Sequence, residues 1–190
     1  MQILKERIIL DGQHLGRGIL KVDAFLNQQV DIQLMQAIGQ ELARRLAPLG
    51  PNKVLTVETG GILPAFTTAS ALNVPLVFAR KHRPVGMHAQ PLQESTLSRE
   101  TERIVSLMVS PEFLGKNDRV VIIDDFLTSA QTILALARLA RSSGAQVVGI
   151  GAVIEKAFDH GREALKTLRA PVESLVTIER FENGNIIFKD

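Results

Sequence analysis

The chain has 190 residues, 45% of them hydrophobic, and a formal net charge of +2, and it contains no cysteine, tryptophan or tyrosine. The lack of cysteine excludes a disulfide framework and a thiolate metal site, and the small net charge gives no indication of nucleic-acid binding. The length suits one domain with a buried core over residues 1–190, and a cytoplasmic protein is expected because neither a membrane span nor a signal-peptide pattern is visible.

The N-terminal half of the chain shows helical and strand patterns in alternation. The clearest helix follows Asp31, a good N-terminal cap, and its apolar residues recur at helical spacing until about Ala47. Further helices are predicted over 1–10 and 63–72, and strands over 19–22, 53–58 and 75–79.

Between Arg80 and Glu102 the pattern of secondary structure fails. The segment is polar, has no clean period and contains Pro84, Gly86 and Pro91. A connection of this length inside a compact domain is usually functional or disordered, so a long flexible loop is predicted over 80–102. A strand is predicted to follow over 103–109, and a turn over 111–118.

The most informative stretch is residues 120–132. A β-branched run over 120–123 predicts a buried strand, which should stop at Asp124 and Asp125, and a polar loop over 128–132 should lead into a helix. The first N–H groups of a helix attract phosphate. Two carboxylates beside a phosphate need another task, such as binding ribose hydroxyls or Mg²⁺. Because successive strand side chains point to opposite faces, the two carboxyls are not expected to share a proton. The alternative is an acidic strand end before an ordinary helix cap.

The C-terminal part continues the alternation of strands and helices. Ile133, Leu136 and Ala140 lie on one face of the predicted helix, which should end at Gly144. Strands are predicted over 147–154, 173–178 and 186–188, a helix over 162–168, and a hairpin turn at Asn183-Gly184. The β-α-β order predicts one α/β domain with a parallel sheet, whose ligands gather at the C-terminal ends of the strands.

Three more segments whose residues could bind a ligand fall at such strand ends. The glycines of residues 58–61 would let the backbone approach a phosphate, although a simple tight turn explains them equally well. The cations of residues 80–83 suit a diphosphate, and a solvated basic turn is the alternative. In residues 155–158, Lys156 beside Phe158 could hold a planar heterocycle. The alternative is that Phe158 belongs to the core and Lys156 is a surface residue.

The motif V-V-I-I-D-D-F-L-T-S-A-Q-T (residues 120–132) resembles the signature of the type I phosphoribosyltransferases, which bind 5-phosphoribosyl 1-diphosphate (PRPP). Residues 20–31, 75–82 and 149–158 resemble the bacterial members of this family that act on xanthine. The resemblance implies a mainly parallel central sheet flanked by helices, with a small hood from about 1–30 and 155–190. It also implies a homodimer, and a flexible loop that closes over xanthine and PRPP.

The resemblance also implies a role for individual residues. Asp124 and Asp125 would act in catalysis by holding the ribose 2′ and 3′ hydroxyls. The 5′-phosphate would be bound by Thr128, Ser129, Ala130, Gln131 and Thr132. The diphosphate would be bound by Thr59, Gly60, Arg80 and Lys81, with Mg²⁺ bridging it and no direct metal ligand from the protein. The purine would be contacted by Leu20, Asn27, Lys156 and Phe158.

One residue departs from the family pattern. Relatives usually carry glycine where this chain has Ala130, and glycine tolerates backbone angles that a β-carbon resists. A conformation with negative φ would accept alanine freely. Ala130 supports one alternative to a xanthine-using enzyme, a PRPP-sensing regulator without catalysis. A second alternative, independent of Ala130, is an enzyme that prefers another 6-oxopurine such as guanine.

Overall fold

The computed structural model describes residues 1–97, 103–182 and 184–189, which form five α-helices and ten strands. The helices are α1 (Gln2–Asp11), α2 (Ile32–Leu46), α3 (Ile62–Leu72), α4 (Gln131–Ser142) and α5 (Gly161–Leu165). The strands are β1 (Gln13–His14), β2 (Leu20–Lys21), β3 (Lys53–Val57), β4 (Leu76–Ala79), β5 (Leu92–Leu97), β6 (Ile104–Val109), β7 (Arg119–Leu127), β8 (Gln146–Lys156), β9 (Val172–Glu182) and β10 (Asn185–Phe188).

A six-stranded sheet in the order β10-β9-β8-β7-β3-β4 forms the centre of the fold. Strands β9, β8, β7, β3 and β4 pair in parallel, and only the edge strand β10 pairs antiparallel. The central strands are buried on both faces, which explains their nearly continuous apolar sequence. The predicted α/β architecture with a mainly parallel sheet is confirmed.

Each face of the sheet carries its own hydrophobic core. Val121 and Ile123 of β7 pack on one side with buried residues of α1, α2 and α3, whereas Val120 and Ile122 pack on the other side with α4, α5 and β6. The predicted cap of α2 is also present, because the Asp31 carboxylate accepts a hydrogen bond from the Leu34 amide at 3.1 Å. Because helices cover both faces, the sheet is left exposed at the ends of its strands.

The prediction that the strand stops at the acid pair is wrong, because β7 continues through both carboxylates to Leu127. Each carboxylate folds back onto the next amide: Asp125 N donates to Asp124 Oδ1 at 3.0 Å, and Phe126 N donates to Asp125 Oδ1 at 2.9 Å. After the pair the side chains no longer alternate between the two faces of the sheet, since Phe126 packs in the same hydrophobic core as Ile123. The acid pair therefore interrupts the pleat without ending the strand.

The prediction of a loop over 80–102 is wrong for Leu92–Leu97, which forms strand β5 and pairs antiparallel with β6. Arg80 is also paired, through reciprocal backbone hydrogen bonds with Met108 at 2.9 Å. Strand β5 escaped detection because Leu92 is the sole apolar residue on its inward face, where Glu94 forms an ion pair with Arg138 of α4 at 2.8 Å. Residues 98–102 of the predicted loop lie outside the described residues.

The C-terminal elements agree with the sequence patterns. Gly144 follows α4 with a φ of +83°, as a helix-ending glycine does. Strands β9 and β10 pair antiparallel as predicted, with Gly184 at a φ of +82°, whereas Asn183 of the predicted turn lies outside the described residues. Within the described ranges, no helix is both long and apolar enough to cross a membrane.

Candidate active site

The C-terminal ends of four neighbouring parallel strands converge at one edge of the central sheet. The turn at Glu58 follows β3, Arg80 and Lys81 follow β4, Asp124 and Asp125 lie near the end of β7, and Lys156 ends β8. In open parallel sheets this edge is where ligands bind. The structure therefore brings together all four segments that the sequence singled out.

The two carboxyls of the acid pair lie at the centre of this edge and influence each other's ionisation. Burial raises the pKa of Asp124 well above its usual range, and the negative charge of Asp125 and a hydrogen bond with its carboxyl raise it further. Burial also raises the pKa of Asp125, against hydrogen bonds from Asp124, the Phe126 amide and the Asn27 side chain, which lower it. The two carboxyls interact with each other, although the alternation of strand side chains predicted opposite faces, and the expectation that they do not share a proton stays a prediction.

The glycine turn after β3 packs directly against the acid pair. A β-carbon at Gly60 would collide with the carboxylate of Asp125, and one at Gly61 would collide with the hydroxyl of Thr56. That hydroxyl donates to the Ile123 carbonyl at 2.7 Å and joins β3 to β7. The glycines allow a close approach, but the neighbours that require it in the structure are the Asp125 carboxylate for Gly60 and the Thr56 hydroxyl for Gly61. Thr59 lies in the same turn, after a cis peptide bond from Glu58.

Glu58 holds the two cations that follow β4. Its Oε2 lies 2.9 Å from Arg80 Nε in an ion pair without the angle of a hydrogen bond, and its Oε1 accepts from the backbone N–H of Lys81. The guanidinium of Arg80 also lies 5.7 Å from the centre of the Phe78 ring. The positive charge of Lys81 acts on Asp124, where it opposes the rise in pKa. Of the two cations predicted for a diphosphate, Lys81 thus lies near the acid pair and Arg80 lies against Glu58 of the neighbouring turn.

The polar loop between β7 and α4 is shorter than predicted. It comprises Thr128, Ser129 and Ala130, because α4 already begins at Gln131, so that Gln131 and Thr132 form its first turn. Ala130 adopts a left-handed conformation with a φ of +62° and a ψ of +10°. The methyl group of Ala130 is buried in the core beneath α4. The loop therefore has the shape that glycine would adopt, and alanine holds it under strain.

Ala130→Gly is expected to change the free energy of unfolding by less than about 1 kcal/mol. Glycine removes a left-handed strain of about 1–2 kcal/mol, but it also loses a buried methyl group worth about 0.8 kcal/mol and adds backbone freedom to the unfolded chain. Ala130→Val is the contrasting variant, since a β-branched residue at positive φ should cost more than about 2 kcal/mol. Urea unfolding of both variants measures the difference, and equal stabilities would argue against the strained conformation.

The residues predicted to contact a purine lie on the far side of the acid pair. Lys156 is buried, donates from Nζ to the Gly18 carbonyl at 2.7 Å and lies 5.2 Å from the centre of the Phe126 ring. Phe158 contacts Gly18, whose φ is +72°. Lys156 and Phe158 therefore join the end of β8 to the N-terminal segment.

Leu20 and Asn27 differ in how they reach the site. The side chain of Leu20 is buried in the core with α1 and α2. Asn27 ends the helical turn Asp23–Asn27 and is exposed, and its side chain reaches the Asp125 carboxyl. The structure thus places Asn27 next to the acid pair, whereas it buries Leu20 behind this part of the site.

Sequence reasoning missed several aromatic neighbours of this region. The Phe158 ring meets Phe181 edge to face at a centroid distance of 5.7 Å, and His14 stacks on Phe181 at 4.0 Å. Phe126 was visible inside the 120–132 motif, although its contact with Lys156 was not. Phe181 and His14 carry no local signal, because β9 and β1 bring them together from opposite ends of the chain.

Metal ligands do not cluster in the described part of the chain, where no group of three or more His, Asp or Glu side chains is placed to hold an ion. The site instead combines a carboxyl pair, two cations, a helix N-terminus and a lysine near aromatic rings. Such a set can hold a ligand that carries hydroxyls, phosphate groups and a planar base.

Residues 21–185 match the family model described as a phosphoribosyl transferase domain, and the chain belongs to this family. The chain is also 45% identical over 188 residues to the xanthine phosphoribosyltransferase of Streptococcus pyogenes serotype M5 (strain Manfredo), covering 99% of this chain and 97% of that protein. It is 46% identical over 187 residues to the xanthine phosphoribosyltransferase of Deinococcus deserti, with coverages of 98% and 97%. These matches confirm the resemblance on which the sequence interpretation rests.

Solved structures support the same fold. The adenine phosphoribosyltransferase of Thermoanaerobacter pseudethanolicus superposes with a TM-score of 0.75 at 25% identity, covering 92% of this chain and 99% of the other. The enzyme of Giardia lamblia, solved in complex with 9-deazaadenine, gives a TM-score of 0.76 at 20% identity, with coverages of 93% and 98%. The central sheet and its flanking helices are thus those of the family.

Proposed function

We propose that the protein transfers the 5-phosphoribosyl group of PRPP to xanthine, giving xanthosine 5′-monophosphate and diphosphate in purine salvage. The observation that carries this proposal is the nearly full-length match to two proteins named xanthine phosphoribosyltransferase. The match includes the N-terminal segment and the end of β8, where the base-contacting residues are proposed to lie. The function is therefore inferred from the whole chain and not from the 120–132 motif alone.

The proposed reaction breaks the bond between ribose C1 and the diphosphate and forms a bond from C1 to a purine nitrogen. Positive charge builds on the ribose ring as the diphosphate leaves. Asp124 and Asp125 would hold the 2′ and 3′ hydroxyls and lie close to this charge, and Arg80 and Lys81 would stabilise the departing diphosphate. The protein contributes position and electrostatics, and it needs no covalent intermediate.

The remaining parts of PRPP have matching groups in the proposed site. The N–H groups at the start of α4, with the hydroxyls of Thr128, Ser129 and Thr132 and the amide of Gln131, would bind the 5′-phosphate. The turn at Thr59 and Gly60 would face the diphosphate. Arg80 is paired with Glu58 in the structure, so diphosphate binding would draw its guanidinium from a carboxylate to a phosphate.

Magnesium fits this proposal through the substrate. Mg²⁺ prefers oxygen ligands and keeps several waters, and it is commonly held by substrate phosphates together with one or two carboxylates. The diphosphate would therefore be the main ligand of the ion, with no direct ligand from the protein, and the carboxyls of Asp124, Asp125 and Glu58 would lie at the same end of the sheet. When bound, the ion would neutralise charge on the leaving diphosphate.

The choice of xanthine rests on Lys156 as well as on the relatives. Xanthine is an acidic purine, and a buried ammonium group favours an anionic partner. The surrounding rings of Phe126 and Phe158 supply apolar surface of the kind that a planar base contacts. The hood of residues 1–30 and 155–190 is thus proposed as the base-binding part of a single domain over residues 1–190. The cytoplasmic location of the protein stays a prediction.

The experiment that tests the function is a four-base comparison. Product formation should be measured with PRPP, Mg²⁺ and each of xanthine, guanine, hypoxanthine and adenine. Xanthine should give the highest kcat/KM. A preference for guanine would transfer the assignment to another 6-oxopurine, and PRPP binding without turnover on any base would favour a PRPP-sensing regulator.

We also propose that the protein forms a homodimer through an apolar patch on α3 and the edge strand β4. Phe66 is 60% exposed, Leu63 lies three residues before it on α3, and Leu63 and Phe78 of the edge strand β4 are each more than a third exposed. Phe66→Glu should convert a dimer into a monomer by light scattering, because it places charge in the buried contact. Phe113→Glu is the matched control, an exposed phenylalanine on another surface, and should not change the mass. A monomeric wild-type protein would refute the proposal.

A further inference from the structure

The end of β8 carries a buried ion pair that the proposed reaction does not use. Glu155 is 3% exposed, and Arg162 of α5 donates from Nε to its Oε1 at 2.8 Å and from Nη2 to its Oε2. Burial alone would raise the pKa of Glu155, but the hydrogen bonds from Arg162, Ser174 and Thr177 and the positive charge of Arg162 together outweigh burial, so the pKa is lowered. Glu155 is therefore charged in the folded protein.

The same arginine fixes α5 to the sheet at two further points. Nη1 of Arg162 donates to the Val172 carbonyl at 2.8 Å, and Nη2 lies 3.1 Å from the hydroxyl of Ser174. Helix α5 has only five residues, and apart from Gly161 at its start Leu165 is its buried residue. So short a helix has little apolar contact of its own, and Arg162 supplies much of what holds it in place.

The start of α5 touches the proposed 5′-phosphate loop. A β-carbon at Gly161 would overlap the carbonyl oxygen of Thr128 and lie 2.9 Å from the Leu127 side chain. The Thr128 carbonyl therefore points at α5 in close contact. Because the peptide group is planar and trans, the next N–H, that of Ser129, points the opposite way, out of this contact and away from α5. The position of α5 thus sets the orientation of the first peptide of the loop.

We infer that Glu155 and Arg162 are positioning residues, whose ion pair seats α5 against Thr128 and thereby orients the loop that binds the 5′-phosphate of PRPP. This inference rests on the proposed function. The end of β8 then serves both ends of the substrate, since Lys156 reaches the base side and Glu155 the phosphate side. The ion pair acts through the backbone of the loop and does not touch the ligand.

The test separates the two phosphate subsites by using fragments of PRPP. Glu155→Gln removes the charge but keeps the shape of the side chain. Calorimetric titration with ribose 5-phosphate, which has the 5′-phosphate alone, should show binding weakened about tenfold, as a small misplacement of binding groups does. Titration with diphosphate and Mg²⁺ should show unchanged affinity. In turnover, KM for PRPP should rise with KM for xanthine unchanged, which general loss of structure would not produce.

Arg162→Gln is the second variant. Because the Arg162 side chain is half exposed, this variant should fold even if Glu155→Gln does not. Arg162→Gln should weaken ribose 5-phosphate binding at least as much as Glu155→Gln, because it also removes the contacts with Val172 and Ser174. The double variant should bind no more weakly than Arg162→Gln, because the pair is already broken. Asp118→Asn is the control: it breaks the Lys53–Asp118 ion pair of 2.8 Å at the opposite end of the sheet. It should lower the melting temperature and leave both titrations unchanged.

Equal weakening of ribose 5-phosphate and diphosphate binding would overturn the inference, as would unchanged ribose 5-phosphate binding in both single variants. A wild-type protein that binds ribose 5-phosphate but forms no product with any purine would refute the proposed function. The comparison of ribose 5-phosphate binding with diphosphate binding would then still decide the role of Glu155. A wild-type protein that does not bind ribose 5-phosphate would refute both.

Discussion

Replacing Asp124 with asparagine should lower kcat/KM for PRPP by about 10²–10³-fold and at the same time raise the melting temperature at neutral pH. Asparagine keeps the oxygen that accepts from the Asp125 amide, so the local fold should persist. It removes a carboxyl whose ionisation is opposed by burial and by the charge of Asp125. The loss of activity follows because an amide cannot offer carboxylate charge to the ribose hydroxyls or to the positive ring.

The stability gain should depend on pH in a defined direction. The pKa of Asp124 is higher in the folded than in the unfolded protein, so the folded state keeps the proton longer. The wild-type protein should therefore lose stability as the pH rises from about 4, the pKa of an unfolded aspartate, to the raised pKa of the pair. Asp124→Asn lacks this loss, and its advantage in melting temperature should grow across that window and then level off.

Asp118→Asn provides the control of opposite sign. Burial would raise the pKa of Asp118, but the hydrogen bonds from Lys53 and the Gly115 amide lower it, so its charge stabilises the folded protein above the unfolded pKa. Its loss should lower the melting temperature at neutral pH without affecting turnover. Near-normal turnover of Asp124→Asn would contradict the ribose role, and a lower melting temperature would contradict the buried coupled pair.

The sequence predicts the sheet well because its signals are local. Runs such as Val120 to Ile123 identify buried strands, and Asp31 and Gly144 mark helix ends through backbone chemistry within a few residues. Strand β5 lacks such a signal, because it owes its place to Arg138 of α4 and to pairing with β6. Its polar inward face is visible only once the helix that covers it is known.

The candidate site likewise has parts with a local sequence signal and parts without one. The acid pair and the polar loop lie in one motif, so their presence could be predicted. The coupling of Asp124 with Asp125 could not, because it depends on side chains that fold back and break the alternation of the pleat. The contact of Lys156 with the Gly18 carbonyl joins residues 138 positions apart. Only the folded chain brings the segments proposed for the base and for the phosphate together at the end of β8.

Lys156→Ala should lower kcat/KM for xanthine by about 10–100-fold, the effect of losing a hydrogen bond to a charged group, with most of the change in KM for xanthine. The ammonium group lies buried, 5.2 Å from the centre of the Phe126 ring, where its charge is poorly screened. An anionic base therefore gains more from it than a neutral base. Steady-state kinetics with xanthine and with hypoxanthine, at saturating PRPP, should show the larger loss for xanthine.

The lysine also holds the Gly18 carbonyl, so part of any loss could come from a looser N-terminal segment. Phe158→Leu separates the two effects, because it removes the ring that contacts Gly18 and leaves the charge of Lys156 in place. If charge selects the base, Phe158→Leu should weaken xanthine and hypoxanthine alike, whereas Lys156→Ala should weaken xanthine selectively. Equal losses for both bases in Lys156→Ala, or equal rises in KM for xanthine and PRPP, would show that Lys156 supports the segment and does not choose the purine.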